Sequence, residues 1–348
     1  MLWRSMTSAL ALAVAAGAVQ AQEILILAED VPAGLNYDGP SAAIPASQQG
    51  MVTLLEPLVG YADGATTDGV TVPDFSKFEG RLAESWTFDE ATLTWTFNLR
   101  KDVVGCNGAT FNADDVIYTF QRAKSVSGAA PIGWFLSNVG SIKGFDPSVF
   151  GEDPAAKELG DAVVKVDDYT VQIRQSEPNA LFLPVLTIFG LLIFDAETMK
   201  ANATEADPWS HDYVNNVGAP GFGAYCLNSW TKNEEISYVA NPGYYRGAPD
   251  IEKVTVRRVP QSSNRVVVLQ TGQANLVTGL TPREFDSLRA VDGITVAGVK
   301  GNENMFLHMN FDVPPFDNPK VRQAIAHAIP VDQIIANGYF GQAAAWKG

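Results

Sequence analysis

Apolar and polar positions divide the chain into short runs of two different periods. Glu23 to Ala28 is almost continuously apolar and reads as a strand buried on both faces. After a loop rich in Pro, Gly and Asn from Pro32 to Pro45, the positions Met51, Leu54, Leu55 and Leu58 predict a helix over Ala46–Leu58. Val59–Glu79 is rich in Gly, Asp and Thr and reads as loop. The period then becomes two. Trp86-Thr-Phe88 and Leu93-Thr-Trp95-Thr-Phe97-Asn-Leu99 alternate apolar with polar, and Asp89–Thr92 is the turn of a half-buried hairpin. Asn107-Gly108 is a turn pair. Asn112 then caps a helix through Asp115, Val116, Phe120 and Ala123, with Asp114 and Asp115 in its first turn, where the helix dipole favours anions.

The same two periods continue. Tyr169-Thr-Val171-Gln-Ile173 alternates within Val163–Ile173, and Asn179 precedes an apolar helix reaching about Thr187. Tyr225–Trp230 and Glu235–Val239 form a second hairpin across Lys232-Asn233-Glu234, followed by a strand at Val254–Val259. Ser263–Thr271 reads as a helix stopped by Gly272, and Pro282 starts another in the sequence Thr281-Pro-Arg-Glu284. Met305–Asn310 is a strand candidate, and Lys320–Ala328 is an amphipathic helix with Val321, Ile325 and Ala328 on one side. No internal repeat is present. The pattern is mixed α and β.

Ahead of the first strand lies an export address. Arg4 is followed by the apolar run Ala9–Val19, and Val19-Gln20-Ala21 places small residues where a signal peptidase reads them, so residues 1–21 are a signal peptide cleaved after Ala21. The run is too short to span a bilayer, as is Leu181–Phe194, which contains Pro184 and Gly190. No cysteine sits at the cleavage point, which argues against a lipid anchor. Cleavage leaves 348 − 21 = 327 residues, with 23 basic and 39 acidic side chains after loss of Arg4, a formal charge of −16. An acidic chain without basic clusters repels phosphate backbones, which excludes nucleic-acid binding. Cys106 and Cys226 lack metal-ligand spacing. In an oxidising compartment they are either one disulfide or two free or buried thiols.

Catalytic signatures are missing. The chain has no phosphate-binding loop, dinucleotide fingerprint, paired-histidine metalloprotease motif, nucleophile elbow or Ser-x-x-Lys arrangement. Gly221-Phe-Gly223 is only a fragment of a glycine-rich loop. The three histidines, His211, His308 and His327, have no second ligand at metal spacing; His327, beside alanines, reads as a hydrogen-bonded structural residue. Asp89-Glu90, Asp114-Asp115 and Asp167-Asp168 are adjacent carboxylates whose side chains point to opposite faces or to solvent, which does not imply an acid–base pair. The balance favours binding over catalysis, with no cofactor and no metal.

Several motifs carry a family resemblance. Arg81-Leu-Ala-Glu-Ser-Trp86, Leu93-Thr-Trp-Thr-Phe-Asn-Leu-Arg-Lys101 and Asn107-Gly-Ala-Thr-Phe-Asn-Ala-Asp-Asp-Val116 come first. Gly223-Ala-Tyr225 with Trp230, Ala240-Asn-Pro-Gly-Tyr-Tyr-Arg-Gly-Ala-Pro249, Leu269-Gln-Thr-Gly-Gln-Ala-Asn275 and Pro315-Phe-Asp-Asn-Pro-Lys-Val-Arg-Gln-Ala324 follow. In this order and spacing they resemble the signature of family 5 extracytoplasmic solute-binding proteins of ATP-binding-cassette importers. Ala91-Thr92 and Gly105-Cys-Asn-Gly108 depart from the family pattern, and Asn275 stands where the family has a carboxylate.

The resemblance implies a two-lobe α/β binding protein of class II type. Residues 22–277 would form lobe I with an inserted subdomain, and 278–348 the first part of lobe II, the chain being C-terminally truncated relative to the family. It implies a periplasmic, monomeric, non-enzymatic protein that captures oligopeptides or dipeptides and passes them to an inner-membrane permease. Nickel chelates, haem, opines and oligosaccharides are the alternative solutes, and a secreted hydrolase or chaperone the alternative activity. The candidate ligand residues are Tyr37 after the first strand, Glu56 in Leu55-Glu-Pro-Leu58, Trp134 after a Gly/Ala/Pro loop, and Asn310.

Overall fold

The computed structural model describes residues 22–37, 44–67, 70–125, 136, 139–143, 145, 159–188, 191–298 and 305–345. Trp134 and the predicted signal peptide lie outside them.

A five-stranded sheet organises the site. Its strands are β1 (Glu23–Ala28), β8 (Tyr225–Thr231), β9 (Glu235–Ala240), β10 (Lys253–Arg258) and β11 (Leu276–Val277), in the order β11-β1-β10-β9-β8. β1 is parallel to both neighbours, with Ile24 opposite Val254 and Ile26 opposite Leu276, whereas β10, β9 and β8 are antiparallel. α1 (Pro45–Leu54) covers one face, and Met51 and Leu54 pack with Ile236 and Tyr238 in a core. α1 ends at Leu54, four residues before the predicted limit, because Leu55 is already extended and Pro57 follows. α6 (Ser262–Gln270), which follows β10 and contacts β11, buries Arg265 alone, so it makes no full second layer. This is why β1 departs from the expectation of a strand buried on both faces: Glu23 is exposed, Ile24–Ile26 are half-buried, and only Leu27 and Ala28 are buried.

The predicted hairpin is β4 (Ala83–Asp89) and β5 (Thr94–Leu99), closed where the Asp89 carboxylate accepts from Ala91 N and Thr92 Oγ1. With β6 (Val163–Asp167) and β7 (Thr170–Arg174) it forms the antiparallel sheet β4-β5-β7-β6. A second core fills the space between that sheet and α2 (Ala113–Ser125) and α3 (Phe182–Leu186), with Phe97, Val116, Phe120, Val171 and Phe182 at its centre. α2 touches both cores, since Tyr118 belongs to the first. Its start is held reciprocally: Asn112 Oδ1 accepts from Asp114 N, and Asp115 Oδ2 accepts from Asn112 N.

Val59–Glu79, expected to be loop, is instead a two-stranded antiparallel ribbon, β2 (Val59–Thr67) and β3 (Val70–Gly80). Gly, Asp and Thr are tolerated because the ribbon is largely solvated and irregular, with register shifts after Tyr61 and Asp63. Tyr61 meets Phe75 and Phe78 edge-on and tilted, a contact between strands that a count of turn residues does not reveal. Met305–Asn310, expected to be a strand, is irregular and largely exposed because no strand among the described residues lies beside it. Lys320–Ala328 is helical as expected, as α8 (Pro319–Ala328), but none of its residues is buried. His327, expected to be a hydrogen-bonded structural residue, is exposed. Cys106 and Cys226 form a disulfide that ties the loop after β5 to β8 across 120 residues of chain.

Gly221 and Gly223 also have a packing explanation. A Cβ on Gly223 would lie 2.5 Å from the carbonyl carbon of Leu54, and Gly223 N donates to Leu54 O at 2.9 Å. The glycine lets the segment before β8 cross the end of α1 at backbone distance.

Candidate functional site

Parallel strands in an open sheet end on the same side, and ligands collect outside their carboxyl ends, where connections diverge. β1, β10 and β11 end together. Ala28 O accepts from Val259 N at 2.8 Å and Leu27 O from Thr278 N at 3.0 Å, so three chain segments leave this edge side by side. Upstream, Asn275 Oδ1 accepts from Leu25 N at 2.8 Å, so the amide does there what a carboxylate's acceptor oxygen does. Arg258 pairs with Asp30 at 2.9 Å just past the strands.

The loop after β1 turns inward. Val31, Leu35 and Tyr37 are buried, and Trp230 Nε1 donates to Pro32 O at 2.9 Å. The Tyr37 ring stacks on Phe194 with centroids 5.1 Å apart, and its hydroxyl donates to Leu192 O at 3.1 Å. Beside it lies a polar cluster inside the protein. Arg122, from α2, is fully buried and places its guanidinium 4.9 Å from the Phe194 ring centroid. It donates to Asn36 Oδ1, to Trp209 O and to His211 Nδ1, the last at 2.9 Å. His211, which opens α5 (His211–Asn216), is pushed down to about 4, first by burial and then by Arg122, so it is a neutral acceptor at neutral pH.

Glu56 sits on the other side of the same segment. Its backbone oxygen accepts from Ile193 N at 2.9 Å. Its carboxylate is buried and accepts from Tyr244 at 3.1 Å and Tyr245 at 3.3 Å. Burial raises its pKa, against the lowering effects of Arg81 and the two tyrosine hydroxyls. Arg100 covers the Tyr245 ring at 4.6 Å. Tyr37 and Glu56 are thus brought to adjacent residues, Leu192 and Ile193, with both polar groups already engaged inside the protein.

Asn310 is exposed, and its Oδ1 accepts from Asp312 N at 3.0 Å in a local turn. His308 is exposed beside Phe306. Among the adjacent carboxylates Asp115 does not face solvent: it is buried between Asn112 N and Ala196 N, and burial raises it to about 6. A shallow groove of ≈ 470 Å³ on the four-stranded sheet, lined by Glu84, Asn98, Lys101, Asp168 and Tyr169 among others, contains none of the three described candidates, Tyr37, Glu56 and Asn310. Among the described residues no group of three or more His, Cys, Asp or Glu side chains is arranged to hold a metal ion. No helix among them is long and apolar enough to cross a membrane.

The sequence does not mark Arg122, His211, Tyr244 or Tyr245 as site residues. A polar residue inside an amphipathic helix is indistinguishable from a surface one until its neighbours are known. The tyrosine pair was visible within Ala240–Pro249, but its partner Glu56 is 188 residues away.

The model of bacterial extracellular solute-binding proteins, family 5 middle region, matches residues 77–347. The chain belongs to this family. It is 29% identical over 347 aligned positions to the dipeptide-binding protein of Escherichia coli, covering 95% of this chain and 58% of the relative. It is 28% identical to heme-binding protein A of Haemophilus influenzae, over 77% of this chain and 48% of that one. The family 5 chain also superposes on a periplasmic binding protein from Helicobacter pylori in complex with the peptide STSA. There the TM-score is 0.68 at 23% identity, covering 92% of this chain and 58% of the other, a likeness of fold. The family 5 chain therefore spans about half to three fifths of the length of these relatives. The mixed α/β architecture expected from sequence is that of the Helicobacter pylori periplasmic binding protein.

Proposed function

We propose that this protein captures a dipeptide or short oligopeptide outside the cytoplasmic membrane and delivers it to the permease of an ATP-binding-cassette importer, without making or breaking a bond. The observation that carries this reading is the family 5 match across residues 77–347. The relative named as a dipeptide-binding protein supports the choice of peptide. In this reading residues 1–21 direct export and are removed after Ala21, and the mature protein works as a periplasmic monomer. Residues 22–277 form the first lobe and the second begins at 278, with solute enclosed where the chain leaves the five-stranded sheet. Trp134 and Asn310 contact solute. Tyr37 and Glu56, whose polar ends are held by Leu192 and by Tyr244 and Tyr245, support the wall behind it.

The test is native mass spectrometry of the protein as isolated, followed by thermal shift against dipeptides, oligopeptides and hemin. A solute that binds the native state alone stabilises it by about 2.7 kcal/mol at a hundredfold excess over Kd. A co-purified peptide mass or a saturable peptide shift is expected. An apo mass with no peptide shift overturns the reading, and a shift with hemin alone replaces peptide by haem.

A further inference from the structure

The connection that leaves the five-stranded sheet after β11 is tied down twice. Arg265, the one buried residue of α6, donates through Nη1 to Val259 O and to Pro260 O, the latter at 3.0 Å, and through Nη2 to Gly279 O at 2.6 Å. One guanidinium thus holds the exits of β10 and β11 together. Its Nε is buried without an acceptor, so the arrangement carries an unmade hydrogen bond. Gly279 has φ +67, a backbone conformation that suits glycine, and a Cβ there would meet Arg265 Nη2 at 3.4 Å and Glu29 Cβ at 3.5 Å.

Two residues later α7 (Pro282–Leu288) begins with a capping box, in which Thr281 N donates to Glu284 Oε2 at 2.8 Å. The other oxygen, Glu284 Oε1, accepts from Ser262 Oγ of α6 at 2.8 Å. The carboxylate therefore reaches back across the connection, from the segment that has left the sheet to the helix that packs beside it. Burial disfavours its charge, but the bonds from Thr281 and Ser262 and the nearby Arg265 outweigh that and lower its pKa.

We propose that Ser262–Glu284 and Arg265–Gly279 are two halves of a latch that holds α7 against α6. Ser262–Glu284 is the half that opens when the chain beyond Gly279 swings to take up or release solute. Arg265 is a positioning residue, fixing the direction in which the connection leaves the sheet. Glu284 can let go of Ser262 and keep its capping bond to Thr281, so α7 re-forms readily. A seven-residue helix released from α6 nevertheless frays, and its amides exchange faster. The functional consequence rests on the solute-capture reading; the test does not, because it needs no solute.

Hydrogen–deuterium exchange of the full chain, read by mass spectrometry, compares the native protein with Ser262→Ala and Arg265→Lys. Ser262→Ala is expected to raise exchange about tenfold or more in peptides covering Leu280–Leu288, while β1, β9 and β10 keep native protection. Arg265→Lys retains the charge but cannot span three carbonyls, and is expected to raise exchange at Thr278 as well. Unchanged exchange over Leu280–Leu288 in Ser262→Ala overturns the proposal. So does an increase spread equally over β1, β9 and β10, which marks a general loss of stability. Ser262 is only half-buried, so this variant keeps the test decisive even where Arg265→Lys does not fold.

Discussion

Arg122 Nη2 lies 2.9 Å from His211 Nδ1, and since a guanidinium can only donate, the imidazole is held as an acceptor at that nitrogen. Protonation of His211 breaks this arrangement and sets two cations against each other. The native pKa of about 4 lies below the free value of 6.5, so the unfolded chain takes up the proton first. Stability is therefore present above pH 6.5 and is lost as pH falls from 6.5 to about 4. Partial exposure of the ring reduces the effect to roughly 1–2 kcal/mol. Thermal unfolding from pH 7 to 4.5 should show a Tm loss that is smaller in His211→Gln. An identical pH slope in both proteins contradicts the role given to this contact.

Asp115 titrates with the opposite sign. Its native value of about 6 is above the ordinary 3.8, so its contribution to stability grows as pH falls from 6 toward 4. Asp115→Asn keeps one acceptor oxygen for two backbone donors, Asn112 N and Ala196 N, and should cost about 1–2 kcal/mol at pH 7. It should also steepen the acid-side loss caused by His211, because the opposing carboxyl is gone. Urea midpoints at pH 7 and pH 5 measure both effects, and a shallower acid-side loss in Asp115→Asn is the outcome that contradicts this account.

Glu56 depends on Tyr244 and Tyr245 for its hydrogen bonds, at 3.1 and 3.3 Å. Tyr244→Phe removes one donor from a buried carboxylate and should cost about 1–3 kcal/mol at pH 7. The lost bond favoured the charged form, so the Glu56 pKa rises further in the variant. The cost should accordingly shrink as pH is lowered and the carboxyl takes up its proton. Stability measured at pH 7 and pH 4.5 checks this, and a cost that does not change with pH contradicts it.

Cys106 and Cys226 close a loop of 120 residues. Replacing both by serine should lower stability by about 2–4 kcal/mol, since the unfolded chain regains the freedom that the link removes. The urea midpoint of the double variant measures this. Reduction of the native protein should move the midpoint in the same direction, and a midpoint unmoved by either treatment shows that the link contributes nothing.

Local pattern made the hairpin at Trp86–Leu99, the capped helix after Asn112 and the Tyr225–Val239 pair legible, because alternation and capping are properties of neighbouring residues. Features that depend on distant partners were not. The β2–β3 ribbon reads as loop until Tyr61 is placed against Phe75 and Phe78. Met305–Asn310 has the composition of a strand, but a strand needs a ladder beside it. The candidate site divides in the same way: Tyr37 is marked by its place in the loop after the first strand and Glu56 by its place in Leu55-Glu-Pro-Leu58. What occupies their polar groups, Leu192 O and the Tyr244–Tyr245 pair, lies more than 150 residues along the chain.

Gly221-Phe-Gly223 is only a fragment of a glycine-rich loop in sequence, and the structure gives it a packing job that can be measured. The carbonyl carbon, the backbone oxygen of Leu54 and the oxygen of Thr53 all lie within 2.7 Å of where a Gly223 Cβ would be. These are backbone atoms at the end of α1, which cannot move aside as a flexible side chain does. Gly223→Ala should therefore push β8 away from α1, strain the Gly223 N to Leu54 O bond, and destabilise the fold by about 1–3 kcal/mol. Gly272→Ala is a control that separates close approach from conformational freedom, since Gly272 has φ +71 and no atom within 4 Å of its Cβ. Its cost should reflect backbone conformation alone, about 1 kcal/mol, with no loss of protection at the α1–β8 contact. Urea midpoints give the two costs, and hydrogen exchange at Gly223 and Tyr225 shows whether the contact itself has opened.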